Sequence, residues 1–263
     1  MTLPRVSVVQ YLNTAPLIWG ILKGEQQGKY ELEFTSPAGC ADAVRQGKAE
    51  LGIVPSIEYQ RIERAQVLSG ISIASKGEVK SVLLLCKVAI EKVQTVAVDN
   101  SSRTSAALLR ILMRKFYSRW VNITPTAPKP AQMLKRADAA LVIGDPALTW
   151  NGQAAEVHDL GAEWKKFTGL PFVFALWVGR EDARLSRLRK DFEDSRDHGL
   201  AHIDDIAAEY APRLRLQPEG VKTYLTHNID YSLDEENRKG LRLFYKLARE
   251  AGIIPVEKEL YFA

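Results

Sequence analysis

Short apolar strands alternate with polar turns and amphipathic helices along the first two thirds of this 263-residue chain. Such alternation is typical of a mainly parallel sheet covered by helices, so it predicts an α/β fold with ligands bound at the carboxyl ends of the strands. The predicted strands are residues 5–10, 30–35, 51–54, 95–99, 121–126 and 139–144, and the predicted helices between them are residues 14–23, 40–47, 104–118 and 131–136.

Two longer apolar strands, residues 81–88 and 172–179, frame the middle of the chain. Read as paired crossovers, they predict two lobes with a ligand cleft between them, each lobe a mainly parallel sheet flanked by helices. The first lobe would hold residues 1–86 and 178–263, and the second residues 87–177. The rest of the chain is expected to be helical, and its last helix would open at a capping box of Ser232 and Glu235.

Composition excludes several classes of protein. The chain is 46% hydrophobic, and its net charge of +4 is spread out, so we expect a globular protein with no nucleic-acid partner. No apolar run is long enough for a membrane helix, and the first twenty residues do not resemble a signal peptide, so we expect a cytoplasmic protein with no membrane partner. Cys40 and Cys86 either form one bridge or, as we favour, are two buried thiols.

Polar residues follow the first strand and the strand at residues 95–99. In the first loop, Asn13 or Thr14 caps the next helix, or the amide of Asn13 points into the cleft. The run Asp99-Asn-Ser-Ser-Arg-Thr-Ser105 exceeds what a helix cap needs. Its hydroxyls, including Ser101, Ser102 and Thr104, together with free helix N–H groups, suit a carboxylate. Arg103 either adds charge to this site or lies solvated on the helix.

Three further polar residues lie where the strands end or begin. Ser56 is a cap or faces a ligand, and Ser81 opens a crossover strand at the hinge, where it needs no function. Asp145 either caps the helix that starts at Pro146 or acts as a base or acceptor. The chain has no Walker A loop, no Gly-x-Gly-x-x-Gly, no Gly-x-Ser-x-Gly and no His-Glu-x-x-His, so we expect neither a metal nor a cofactor.

Taken together in order, these segments resemble the chorismate dehydratase family. The matching segments are residues 11–17 (YLNTAPL), 40–43 (CADA), 52–59 (GIVPSIEY), 72–75 (SIAS), 80–83 (KSVL), 99–105 (DNSSRTS), 144–147 (GDPA), 159–161 (DLG) and 168–174 (TGLPFVF). The resemblance implies a type-2 periplasmic-binding-protein-like fold and the conversion of chorismate to 3-[(1-carboxyvinyl)oxy]benzoate in the futalosine route to menaquinone. It implies Asn13 and Ser81 as the catalytic residues. Thr14, Ser56, Asp145 and residues 101–104 are the expected substrate ligands.

Three rival functions share this fold. A solute-binding protein would carry an export signal, and a regulator's effector domain would follow a DNA-binding segment, whereas only four residues precede Arg5. A sister enzyme acting on a cyclised futalosine derivative has a first loop more like S-P-C-P-N-D, which this sequence lacks. A homodimer through the helical tail stays an open alternative.

Overall fold

The structure is a computed structural model that describes residues 3–183 and 185–263. Its strands are β1 (Arg5–Val9), β2 (Glu31–Thr35), β3 (Leu51–Pro55), β4 (Ala65–Ser75), β5 (Val82–Cys86), β6 (Thr95–Asp99), β7 (Asn122–Thr126), β8 (Ala139–Ile143), β9 (Glu156–Asp159), β10 (Phe172–Arg180) and β11 (Asp230–Leu233). Its α-helices are α1 (Ala15–Lys23), α2 (Pro37–Arg45), α3 (Ser56–Tyr59), α4 (Arg103–Ile111), α5 (Pro130–Arg136), α6 (Asp145–Leu148), α7 (Leu160–Thr168), α8 (Arg189–Ala201), α9 (Ile203–Leu214), α10 (Pro218–Thr223) and α11 (Glu235–Glu250). π-Helical turns follow α4 at Leu112–Phe116 and α10 at Tyr224–Asn228.

Within the described residues the strands form two sheets. The first has the order β11-β4-β10-β3-β1-β2, and the second has the order β7-β6-β8-β5-β9. The predicted α/β class is confirmed, but the sheets are mixed rather than mainly parallel. Strands β1, β2 and β3 pair in parallel, as do β6, β7 and β8, whereas β5 and β10 run antiparallel to their neighbours.

The direction of β5 and β10 follows from where the chain crosses between the sheets. Val82 at the start of β5 pairs with Ile143 at the end of β8, and Ala175 near the start of β10 pairs with Pro55 at the end of β3. Both strands therefore begin at the edge where the parallel strands finish. A chain that enters a sheet from that edge can only run antiparallel to those strands.

The two apolar strands that frame the middle segment, predicted as crossovers between two lobes, lie in different sheets. Strand β5 lies in the second sheet and β10 in the first, so sheet membership changes several residues before the predicted boundaries at 86/87 and 177/178. The division into lobes at those boundaries stays a prediction. Each of these strands is an interior strand of its sheet, with a paired neighbour on both sides, and most of its residues are buried. This explains why both read as continuous apolar runs in the sequence.

The C-terminal helices pack back onto the crossover region. Trp164 on α7, Phe172 on β10 and Phe244 on α11 make mutual edge-to-face contacts, with ring centroids 4.9 to 6.2 Å apart. All three are fully buried. The predicted capping box of α11 is wrong, because Ser232 lies in β11 and Asp234 accepts the hydrogen bond from the backbone N–H of Asn237.

Several features bear on other sequence predictions. Strands β4, β9 and β11 and helix α7 were not foreseen. The small and polar residues of β4 (AQVLSGISIAS) weaken its pattern. Cys40 and Cys86 are separate buried thiols. No helix in the described part of the chain is long and apolar enough to cross a membrane.

Candidate active site

A cavity lies where the carboxyl ends of the parallel strands of the two sheets face each other. Its empty space amounts to about 590 Å³, part of which is open to solvent. Apolar residues at the strand ends form much of the wall, and polar residues come from the loops after β1 and β6 and from the crossover before β5. The polar and glycine lining residues are Tyr11, Asn13, Thr14, Ser81, Ser101, Ser102, Arg103, Thr104, Ser105 and Gly144.

The loop after β6 presents hydrogen-bond donors from the start of helix α4. Asp99 holds this loop, because its carboxylate accepts from both the backbone N–H (2.9 Å) and the hydroxyl (2.8 Å) of Ser101. Burial raises the pKa of Asp99. The hydroxyl of Ser102 is buried with no partner among the described residues, and Ser102 does not cap α4. The first N–H groups of a helix lack intrahelical acceptors; in α4 that of Arg103 donates to the carbonyl of Ser101, which leaves those of Thr104 and Ser105 to bind an anion.

Thr104 connects this loop to the first sheet. Its hydroxyl oxygen accepts from the backbone N–H of Ile57 at 3.2 Å and lies 3.5 Å from the hydroxyl of Ser56. Since Ser56 donates its only hydrogen to Val173, the 3.5 Å contact can only be donated by Thr104, and at that length it is too weak to keep the hydrogen from an acceptor in the cavity. Thr104 therefore fits the predicted place as a carboxylate ligand.

The loop after β1 brings Asn13 to the opposite wall. Residues Leu12–Thr14 form a 3₁₀ turn before α1, and neither Asn13 nor Thr14 makes a side-chain capping bond to that helix. The hydroxyl of Thr14 donates to the Asn13 amide oxygen at 3.4 Å, a weak bond. The cap interpretation is therefore wrong for both residues, and the half-buried amide faces the cavity.

Gly144 fits closely against the first loop. Its φ of +64° is in the left-handed region, and a Cβ atom there would lie 2.6 Å from the ring of Tyr11. Only glycine meets both requirements without strain. The ring of Tyr11 is thus placed over the end of β8, and burial raises its pKa to about 12.

Ser81 lines the cavity from the crossover that leads into β5. It is buried, and its oxygen accepts a 2.8 Å hydrogen bond from the hydroxyl of Tyr224. The carbonyl of Val79 is its own acceptor at 3.4 Å, longer than an ordinary O–H···O bond. Sequence reasoning missed Tyr224, which lies 143 residues from Ser81 in a helical segment with no local signal.

The guanidinium of Arg103 is partly exposed and is held by two carboxylates. It donates to Glu58 at 2.9 Å and to both oxygens of Asp42 at 3.0 and 3.1 Å. Glu58 is 1% exposed and also accepts from Arg45 and Arg61. The head group of Arg103 therefore does not lie free in solvent but joins α4 to α2 and α3, and its contact with substrate stays a prediction.

Ser56 and Asp145 are displaced from the cavity in a similar way. The Ser56 hydroxyl is fully buried and donates to the carbonyl of Val173 at 2.7 Å, so it neither caps α3 nor lines the cavity. Asp145 makes no capping bond to its own helix and accepts instead from the backbone N–H of Leu12 at 3.0 Å. Burial raises the pKa of Asp145 to about 6. This geometry does not support either residue as a direct substrate ligand.

The cavity wall carries no carboxylate and no imidazole among the described residues. Tyr11 and Arg103 are its titratable members, and the charge of Arg103 is engaged by Glu58 and Asp42. Across residues 3–183 and 185–263, no group of three or more His, Cys, Asp or Glu side chains is arranged to hold a metal ion. The arrangement therefore suits an anion held by neutral donors.

Comparisons with known proteins show the family of this chain. A family model described as menaquinone biosynthesis matches residues 4–250. A chorismate dehydratase of Thermus thermophilus is 30% identical, with 89% of this chain and 91% of that protein covered. A chorismate dehydratase of Campylobacter jejuni is 27% identical, with 92% and 96% covered.

Solved structures add the fold. A protein from Archaeoglobus fulgidus superposes with a TM-score of 0.73 at 18% identity, covering 95% of this chain and 98% of that one. The periplasmic aliphatic sulphonate binding protein of Escherichia coli superposes with a TM-score of 0.63 at 16% identity, covering 97% and 89%. The expected periplasmic-binding-protein-like fold is thereby confirmed. Since the family model and both dehydratases match nearly the whole sequence, the chain belongs to the chorismate dehydratase family of menaquinone biosynthesis.

Proposed function

We propose that this chain is a chorismate dehydratase, a carbon–oxygen lyase that removes water from chorismate to give 3-[(1-carboxyvinyl)oxy]benzoate. The observation that carries the proposal is a cavity lined by hydroxyls, an amide and a helix N-terminus, with no carboxylate or imidazole in the described wall. Chorismate is a dicarboxylate, and such a wall attracts it without placing a like charge beside it. Two relatives bear the same name.

Donors reach the cavity from both sheets. Ser102, Thr104 and the backbone N–H groups of Thr104 and Ser105 would bind one substrate carboxylate. Asn13 and Ser81 would orient the edge of the ring that reacts, Asn13 through its amide and Ser81 through its hydroxyl. Because Asn13 follows a strand of the first sheet and the other donors adjoin strands of the second, a substrate that touches all of them is fixed in position and angle.

The elimination balances without any further reactant. A ring C–H bond breaks, its electron pair forms the third double bond of the ring, and the adjacent C–O bond breaks so that the hydroxyl leaves with a proton as water. The product is aromatic, so the reaction is strongly downhill and needs no powerful base. With no carboxylate or imidazole among the lining residues, a substrate carboxylate or a water held by Asn13 is the proton acceptor we propose.

The first experiment is to incubate the purified full-length protein with chorismate and a chelator and to follow the products by mass spectrometry. We expect a species lighter by one water that retains the enolpyruvyl ether. Ser81→Ala serves as a matched variant, because it removes one hydroxyl from the cavity wall, and it should lower the rate while leaving the product unchanged.

Two results would count against the proposal. If chorismate stays unchanged while the protein gains thermal stability, the chain is a binding protein. If neither effect is seen, the cyclised futalosine derivative is the substrate to test next. We propose a cytoplasmic location for this activity, and a homodimer stays an open alternative.

A further inference from the structure

Tyr224 is a buried residue outside the cavity wall whose hydroxyl contacts Ser81, one of the two catalytic candidates. It is 3% exposed and begins the π-helical turn Tyr224–Asn228. The same turn makes a second hydrogen bond to the crossover before β5, where the Asn228 amide donates to the carbonyl of Glu78 at 3.2 Å. Isolated π-helical turns are often found at functional sites, and this one fixes the segment that carries Ser81.

The hydrogen bond from Tyr224 decides what Ser81 can do. A serine hydroxyl has one hydrogen to donate and two lone pairs to accept. Tyr224 donates to the Ser81 oxygen at 2.8 Å, while the acceptor for the hydrogen of Ser81 within the protein, the Val79 carbonyl, is 3.4 Å away. The hydrogen of Ser81 is therefore left for an acceptor in the cavity, which Ser81 lines.

The Tyr224 hydroxyl remains a donor across the neutral pH range. Burial raises the pKa of Tyr224, so its hydroxyl stays protonated at neutral pH and keeps the hydrogen that it donates to Ser81.

We infer that Tyr224 is a positioning residue for the dehydration, which orients the Ser81 hydroxyl as a donor to the substrate. This inference rests on the proposed function. Hydrogen bonds in series polarise one another, so the bond from Tyr224 makes Ser81 a stronger donor to the departing hydroxyl or to a substrate carboxylate.

The test is Tyr224→Phe in the full-length protein, which removes one oxygen and keeps the ring. We expect kcat to fall by about ten-fold or more while KM changes by less than about three-fold, because the lost interaction acts in the transition state. Tyr231→Phe is the matched control. Tyr231 is equally buried, its hydroxyl has no partner in the described part of the chain, and kcat should be unchanged.

A double-mutant cycle separates positioning from general structural damage. In a Ser81→Ala background, Tyr224→Phe should lower kcat by less than about two-fold, because the hydroxyl that it orients is already absent. A purely structural role would lower kcat by the same factor in both backgrounds. The same four proteins, unfolded in denaturant, should show non-additive stabilities, since each single change leaves one partner of a buried bond unpaired.

The outcomes distinguish this inference from the proposed function. If the wild-type protein dehydrates chorismate but Tyr224→Phe keeps its kcat, or if the cycle is additive, the role of Tyr224 is refuted alone. If the wild-type protein leaves chorismate unchanged, the proposed function fails, and the unfolding cycle still reports whether the bond to Ser81 exists.

Discussion

Asp145 should make the stability of this protein fall as pH rises, and Asp145→Asn should remove that effect. The carboxylate is buried behind the first loop and accepts one hydrogen bond, from the backbone N–H of Leu12 at 3.0 Å. No Lys, Arg or His side chain among the described residues forms an ion pair with it. Burial therefore dominates and raises its pKa from 3.8 to about 6.

The sign of the effect follows from the two pKa values. Between pH 3.8 and about 6 the folded protein binds the proton of Asp145 more tightly than the unfolded chain does. Folding is therefore favoured at low pH, and stability is lost as the pH rises through this window. A difference of about two pKa units lowers the free energy of unfolding by at most about 3 kcal/mol at pH values above 6.

The assay is denaturant unfolding of the wild-type protein and of Asp145→Asn between pH 4 and pH 8. Asparagine is uncharged and keeps an oxygen that can accept from Leu12. We therefore expect the variant to be more stable by about 1–3 kcal/mol above pH 7 and nearly equal to wild type near pH 4.

Asp138→Asn is a control with the opposite sign. The Asp138 carboxylate accepts from the backbone N–H groups of Gln94 and Thr95 and from the hydroxyl of Thr95, and these bonds lower its pKa. Its contribution to stability is present at neutral pH and is lost as the pH falls, so the variant should be less stable at pH 7. A stability difference for Asp145→Asn that is independent of pH, or that favours the wild type at pH 7, would refute the reasoning.

Three further substitutions test other parts of the site. Asn13→Asp places a charge in a cavity built for an anion, so kcat/KM should fall by about 100-fold; full activity in a steady-state assay would rule out a role specific to the amide. Glu58→Gln removes the buried carboxylate that binds three arginines and should cost about 3 kcal/mol of unfolding free energy, whereas a loss below about 0.5 kcal/mol would show that the pairs contribute little. Gly144→Ala drives a Cβ to 2.6 Å from the ring of Tyr11 at a φ of +64°, so it should destabilise by about 1–2 kcal/mol and lower kcat; unchanged values of both would contradict the close fit.

The sequence predicted where polar residues gather, because that depends on local order along the chain. The predicted strand at residues 95–99 matches β6, and the polar run that follows it does line the cavity. Ligands bind at the carboxyl ends of parallel strands, so the sequence placed both Asn13 and Ser102 at the cleft between the two predicted lobes without knowledge of their contacts.

Roles that depend on distant partners were not predictable in this way. Arg103 binds Glu58 and Asp42, which lie 45 and 61 residues away, and Tyr224 binds Ser81 across 143 residues. A single sequence shows which side chains are polar, but it does not show which of them meet. The directions of β5 and β10 were missed for a related reason, since they depend on the edge at which the chain crosses between sheets.

Three hydrogen bonds around the cavity connect the two sheets. The Arg103–Glu58, Thr104–Ile57 and Asp145–Leu12 contacts each join an element of one sheet to an element of the other. Donors on separate sheets bind one rigid substrate only if the sheets keep a fixed relation. These contacts supply that relation while the carboxylates that take part lie outside the cavity wall, and the charge of Arg103 in the wall is paired with Glu58 and Asp42. For a reaction that is downhill once the ring can become aromatic, holding the donors in place is the main demand on the protein, and it falls largely on residues that need not touch the substrate.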